Sequence, residues 1–315
     1  MGPVPVYVGI DVAKAALVVA VRPTNACWET TNDPRGLSLL VRRLRTLGPT
    51  RIIIEATGRY HLPLHRALAE AGLPVAVVNP RQTRAFAKTL NRLAKTDVVD
   101  AHVLAHFAEV IPSRLTPVPD AETEALHDLV LRRRQLIDMR TADSNRLDGA
   151  SATSVALLRR HLAWLSREMV LIEGELADIL KRPHFRERVA ILRSVPGIGA
   201  QSAATLLTEL PELGSLPHKQ LAALVGVAPL NRDSGNFRGR RTTWGGRRTV
   251  RSALYMPTLA AIRCNPEIRT FYRRLVNDGR PKQLAVVACL HKLLTHLNAL
   301  TRQNRHWQED RPCAT

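Results

Sequence analysis

Cysteine is scarce and scattered. Cys27, Cys264, Cys289 and Cys313 are far apart, and no two have the CxxC spacing of a metal knuckle or a redox pair. This argues against a zinc site and a disulfide framework and fits a reducing cytoplasm. Long apolar runs are also missing, so no membrane span and no membrane partner are expected. The N-terminus lacks a basic segment and cleavage site, so no signal peptide is expected. Acidic residues are few: 27 Asp and Glu against 46 Lys and Arg, a formal charge of +19. So large an excess, spread along the chain, points to nucleic acid or an anionic surface. The 315 residues, 45% of them hydrophobic, suffice for two domains or a domain with a long helical insert.

Residues 4–10, 16–22 and 27–31 are strand candidates with short links, an antiparallel meander. Residues 34–47 have helical periodicity, 51–55 form a short buried strand, and 62–71 a helix. Residues 74–78 read as another buried strand, 80–88 as a short helix and 97–110 as a helix. This order implies a mixed sheet with helices packed on it. Sites in such sheets lie beyond the carboxyl ends of the strands. Asp11 and Glu55 each end a strand. If those strands are neighbours, both carboxylates emerge at one edge.

The segment Lys95-Thr-Asp-Val-Val-Asp-Ala-His102 brings a second pair. Asp97 and Asp100 are three residues apart at a helix start, so they share a face. The stretch before them is basic, with Arg81, Arg84, Lys88, Arg92 and Lys95. Four carboxylates are hard oxygen ligands suited to Mg²⁺ or Mn²⁺. Two such ions can activate an attacking oxygen and stabilise a leaving one at a phosphodiester. Each acid also has an ordinary reading. Asp97 could cap a helix, Asp100 could be solvated, Glu55 could pair with a cation and Asp11 could form a turn.

Three prolines within residues 112–119 mark a linker. Residues 120–182 read as two long helices broken around 149–153, an antiparallel hairpin or coiled coil. Arg132, Arg133, Arg134, Arg140 and Arg146 make the first one basic, as a solvated face or a nucleic-acid contact. Val195-Pro-Gly-Ile-Gly199 before an Ala- and Leu-rich run resembles a helix-hairpin-helix. There Gly197 and Gly199 would bring backbone N–H groups to a phosphate, or would simply form a turn. Residues 231–251 hold seven arginines and four glycines around Phe237 and Trp244. Such a loop is suited to gripping a phosphate backbone through Arg232, Gly235, Arg238, Arg240, Arg241, Arg247 and Arg248. Ser234 lies inside it, as a turn residue or as a nucleophile whose charge development those arginines offset. No His or Lys is an obvious base for it, so a carboxylate such as Asp233 would serve. The polar tail 306–315 is expected to fray.

At Gly-Ile-Asp11-Val-Ala-Lys, Ile-Ile-Ile-Glu55-Ala-Thr-Gly, Lys-Thr-Asp97-Val-Val-Asp100-Ala, Val-Pro-Gly-Ile-Gly and Ser234-Gly with its later Gly-Gly-Arg, the sequence resembles the insertion-sequence-110 transposases. These are also described as bridge-RNA-guided serine recombinases. Ala13 stands where the usual motif has Ser. The resemblance implies a ribonuclease H-like (RuvC-like) domain over residues 1–112 whose Asp11, Glu55, Asp97 and Asp100 bind Mg²⁺ (or Mn²⁺). It implies a linker and coiled-coil hairpin over 113–185, used in assembly and RNA binding. It also implies a mostly helical transposase domain over 186–305 whose Ser234 becomes covalently linked to DNA. Ser252 and Ser215 are weaker candidates outside the loop. The implied partners are donor and target DNA, a noncoding guide RNA, and further copies in a homodimer or homotetramer. The implied location is a prokaryotic cytoplasm, at the nucleoid. A metal-dependent junction-resolving nuclease and a non-enzymatic nucleic-acid-binding module stand as alternatives.

Overall fold

In the computed structural model the described residues are 4–56, 58–92, 94, 96–230, 233–234, 237–238 and 242–307. The chain divides into two compact units, residues 1–119 and 120–315.

The first unit holds β1 (Tyr7–Val12), β2 (Ala16–Arg22), β3 (Cys27–Thr31), α1 (Pro34–Leu47), β4 (Arg51–Glu55), α2 (His61–Glu70), β5 (Val75–Val78), α3 (Pro80–Thr89) and α4 (Asp97–Val110). The strands form one sheet in the order β3-β2-β1-β4-β5. β1, β2 and β3 pair antiparallel, while β4 and β5 run parallel to β1. The meander and the mixed sheet are as the sequence implies; β1 begins three residues later and ends two residues later than its apolar run. Side chains alternate across the central strands. Val8, Ile10, Val12, Ile52 and Ile54 pack with Leu37, Leu40, Leu64 and Leu68 of α1 and α2 on one face. Ile53 packs with Leu104 and Phe107 of α4 on the other.

Two features fix α4 on that second face. Gly9 is one. A Cβ there would lie 2.1 Å from the Ala105 nitrogen and 2.4 Å from the Ala101 carbonyl oxygen. Only a bare backbone, met by two alanines one turn apart, allows so close an approach. Arg51 is the other. Its guanidinium donates to the Ala108 and Ile111 carbonyls at 3.0 Å each, satisfying the C-terminal end of α4 and complementing its dipole. Gly9→Ala is expected to cost about 1–3 kcal/mol through overpacking. It should also shift α4 off the sheet, read by chemical denaturation alongside hydrogen exchange in α4.

The second unit contains α5 (Ala121–Arg146), α6 (Ala152–Leu180), α7 (Pro183–Ser194), α8 (Ala200–Glu209), α9 (His218–Val225), β6 (Pro229–Leu230), β7 (Asp233–Ser234), β8 (Phe237–Arg238), β9 (Thr242–Thr243), α10 (Arg248–Cys264), α11 (Pro266–Asn277) and α12 (Lys282–Gln303). α5 and α6 form an antiparallel helical hairpin. Glu122 meets Arg182, Arg133 meets Glu173 and Asp143 meets His161 along its length. On α6, Leu165, Met169, Ile172, Leu176 and Ile179 are buried at alternating spacings of four and three. These residues share one continuous core with α7 to α12. The hairpin therefore does not stand apart from the C-terminal helices as a unit of its own.

By length and composition α12 could cross a membrane, which the expected absence of long apolar segments missed. Its Leu290, Leu293, Leu294 and Leu297 are buried in the protein core.

Candidate active site and nucleic-acid interface

The C-terminal ends of the parallel strands gather the acids. β1 and β4 are direct neighbours in register Ile10 to Ile54, which sets Asp11 beside Glu55 at one edge. Both lie at the alternate positions that face α4, as Gly9 and Ile53 do. Arg51, bound to the last turn of α4, sits at the other end of β4, so the first turn of α4 lies toward Glu55. That turn carries Asp97 and Asp100.

Electrostatics tie the four together. Asp11 is pushed from 3.8 up to about 6, first by burial and then by the negative charges of Asp97, Asp100 and Glu55. A hydrogen bond from the Val12 backbone lowers it. Among the described residues no group of three or more Asp, Glu, His or Cys is drawn together at metal-ligand distances. Like charges repel, and closer approach of the acids requires a proton or a cation between them. An all-carboxylate set fits a hard divalent ion.

The ordinary reading of one acid does not hold. Asp97 is not the helix cap: Thr96 is, accepting from the Val99 N–H at 3.3 Å. The described partner of Glu55 is a neutral group, the buried Thr83 hydroxyl, which donates to Oε2 at 2.6 Å. Gly9, Arg51, Thr83 and Thr96 all shape the site, and none stood out in the sequence. The visible signal was Gly9 opposite the spacing Ala101 and Ala105.

The raised Asp11 has a consequence for stability. Without metal, the folded chain keeps this proton to about pH 6, and the unfolded chain loses it near 3.8. Folded protein thus binds more protons between these values, and stability falls as pH rises through that window. Two units are worth about 3 kcal/mol; solvent access to Asp11 reduces this to about 1–2 kcal/mol. Asp11→Asn is therefore expected to stabilise the metal-free protein above pH 6, read as slower hydrogen exchange in β1 and β4. Added Mg²⁺ should slow exchange in the parent protein and not in the variant.

In the second unit Ser234 lies on β7, whose pairing with β8 sets Asp233 against Arg238 and Ser234 against Phe237. β6 and β9 pair at the base of this excursion. Arg232, Gly235, Arg240 and Arg241 lie outside the described residues. Arg248 is exposed on the first turn of α10, and Trp244 is 80% exposed.

Arg247 needs correction as a nucleic-acid contact. Its guanidinium is bound bidentately by Glu212 at 2.6 Å and by the Glu209 carbonyl at 2.9 Å. An arginine so paired anchors the turn before α10 and offers no open fork to phosphate. Gly197 is likewise structural. Its φ is +104°, and a Cβ would lie 2.7 Å from the Ala261 nitrogen of α10. Gly199 caps α8 with extended backbone and faces open space. In the first turn of α8, the Gln201 side chain donates to Glu173 at 2.8 Å. Ser252 is exposed on α10. Ser215 donates to the Glu212 carbonyl at 2.8 Å.

Residues 8–150 match a family model described as a transposase, of the DEDD type of IS110, and residues 189–273 match one described as "Transposase IS116/IS110/IS902 family". The pilin gene-inverting protein of Moraxella lacunata is 30% identical, with 95% of this chain and 96% of that protein aligned. Its namesake from Moraxella bovis is 29% identical over the same shares. Among solved structures, T. thermophilus RuvC in complex with Holliday junction substrate is similar at 15% identity and a TM-score of 0.28, over 36% of this chain and all of that one.

Proposed function

Because the chain belongs to the IS110 family of transposases, enzymes of DNA strand transfer, we propose that it cuts and rejoins DNA through Ser234, assisted by a metal-binding tetrad of Asp11, Glu55, Asp97 and Asp100. The observation that carries the reading is the pairing of β1 with β4, which sets Asp11 beside Glu55 at the edge toward which the first turn of α4 brings Asp97 and Asp100. The strand order supports a ribonuclease H-like N-terminal unit. The acids would hold Mg²⁺ or Mn²⁺, which when bound offsets phosphate charge and polarises the reacting oxygens.

The chain's own residues do the rest. The Ser234 oxygen attacks phosphorus and forms a new Ser–O–P bond. The serine proton passes to a carboxylate, and one sugar oxygen leaves, taking its proton from that acid or from solvent. Because the ester is conserved on the protein, a second strand's hydroxyl can attack it and release the serine. No external energy source is needed. Exposed Arg248 and the loop arginines Arg232, Arg238, Arg240 and Arg241 offset the charge on phosphate, and Gly235 gives the loop access to the backbone. Gly199 is kept as a backbone contact to DNA.

The names of the Moraxella proteins describe inversion of a pilin gene, a recombination in which strands are cut and rejoined. That outcome suits a conserved ester better than hydrolysis. Guidance by a noncoding RNA and assembly into a dimer or tetramer come with the family reading. The test is strand exchange between donor and target duplexes with and without the element's RNA. Joined products that require RNA and divalent metal are expected. Hydrolysed ends alone would point to a resolving nuclease.

A further inference from the structure

The basic run ahead of the carboxylate pair is not used by the site itself. On α3, Arg81, Arg84, Ala85 and Lys88 are exposed and, with Pro80, line a shallow depression of about 400 Å³. The helix carries no acidic residue. Its sequence spacing places Arg81, Arg84 and Lys88 on one face. From Arg81 to Lys88 the helix rises about 10 Å, roughly three nucleotide steps along one DNA strand.

The opposite face is fixed. Thr83 and Ala87 are buried, and the Thr83 hydroxyl joins Glu55 at 2.6 Å. α3 therefore cannot turn its basic face independently of the carboxylate edge. Neither Arg81 nor Lys88 has an ion pair among the described residues.

We propose that the exposed face of α3 is a phosphate track, holding through Arg81 and Lys88 the backbone of the DNA strand that enters the carboxylate site. The proposal rests on the carboxylate reading above and adds the surface that presents the strand to it. Such contacts fix the position of DNA and read no sequence, which suits exposed flexible side chains along a helix. A ligand with one or two charges would gain little from a row this long, whereas a polyanion engages it along its length.

The test uses the full chain with Arg81→Gln and Lys88→Gln combined, both at exposed positions that leave the core intact. Duplex DNA binding is measured by anisotropy across a KCl series without metal. Two lost phosphate contacts should reduce the slope of log K against log salt by about 2, with weaker binding at every salt concentration. Protection of β1 and β4 by Mg²⁺ should be unchanged. An unchanged slope overturns the proposal, as does a loss confined to a structured RNA probe. Asp11→Asn serves as the reference: it should keep the parent slope and lose strand transfer. If Asp11→Asn stays active while the double variant loses its slope, the track stands and the carboxylate reading fails.

Discussion

Ser234→Ala protein is expected to bind donor and target DNA like the parent and to exchange no strands. Removal of a catalytic nucleophile leaves only positioning and charge stabilisation, and the loss in such enzymes reaches about 10⁶-fold. Here product should fall by at least about 10³-fold, below detection in a gel assay. The substitution removes one hydroxyl and leaves the backbone pairing of Ser234 with Phe237 available. Hydrogen-exchange protection of α10 and α12 in the same unit should therefore persist, which separates loss of the nucleophile from unfolding. If Ser234→Ala still joins strands, the serine is a turn residue and a DNA hydroxyl at the carboxylates is the attacking group.

Asp97→Asn is expected to abolish cleavage as well, for a different reason. Asp97 is exposed at the start of α4, and the helix keeps its Thr96 cap, so the fold should survive. What is lost is one of three charges that raise Asp11. Asp11 should then ionise at lower pH, the metal should bind more weakly, and activity should fall by at least about 10³-fold at low millimolar Mg²⁺. Chelation of the parent protein should reproduce the defect, and excess metal should restore the chelated parent but not the variant. DNA affinity in metal-free buffer should rise slightly, since one negative charge has gone from a surface that approaches phosphate. Parent-level strand exchange by Asp97→Asn would leave the chain's acids without a catalytic role.

Much of the first unit was legible because its elements obey simple periodicities. β2, β3, α1, β4 and α4 have the limits that apolar alternation and helical spacing imply. The four acids were legible as strand ends and an i,i+3 pair. Their coupling was not, because it depends on how α4 lies on the sheet. That placement rests on Gly9 and Arg51, whose partners are more than fifty residues away in sequence. Thr83 was hidden for the same reason: its role is a contact to Glu55 across 28 positions. In the second unit, charge counting misplaced Arg247. Composition cannot tell an arginine held by Glu212 from one facing solvent. Gly197 looked like a phosphate turn and proved to be where the chain passes α10. The resemblance set the hairpin apart over 113–185, yet Leu126, Leu136 and Leu165 belong to the core of the whole unit.

Covalent trapping tests the serine–DNA account most directly. A nicked suicide substrate that loses its leaving strand is incubated with the full chain, Mg²⁺ and the element's RNA, then digested with trypsin. Cleavage after Arg232 and Arg238 releases the peptide 233–238, in which Ser234 is the only hydroxyl. Expected is this peptide carrying a nucleotide mass, absent without metal and absent in Asp97→Asn. Efficient strand cleavage with the peptide recovered only unmodified would contradict a serine–DNA intermediate.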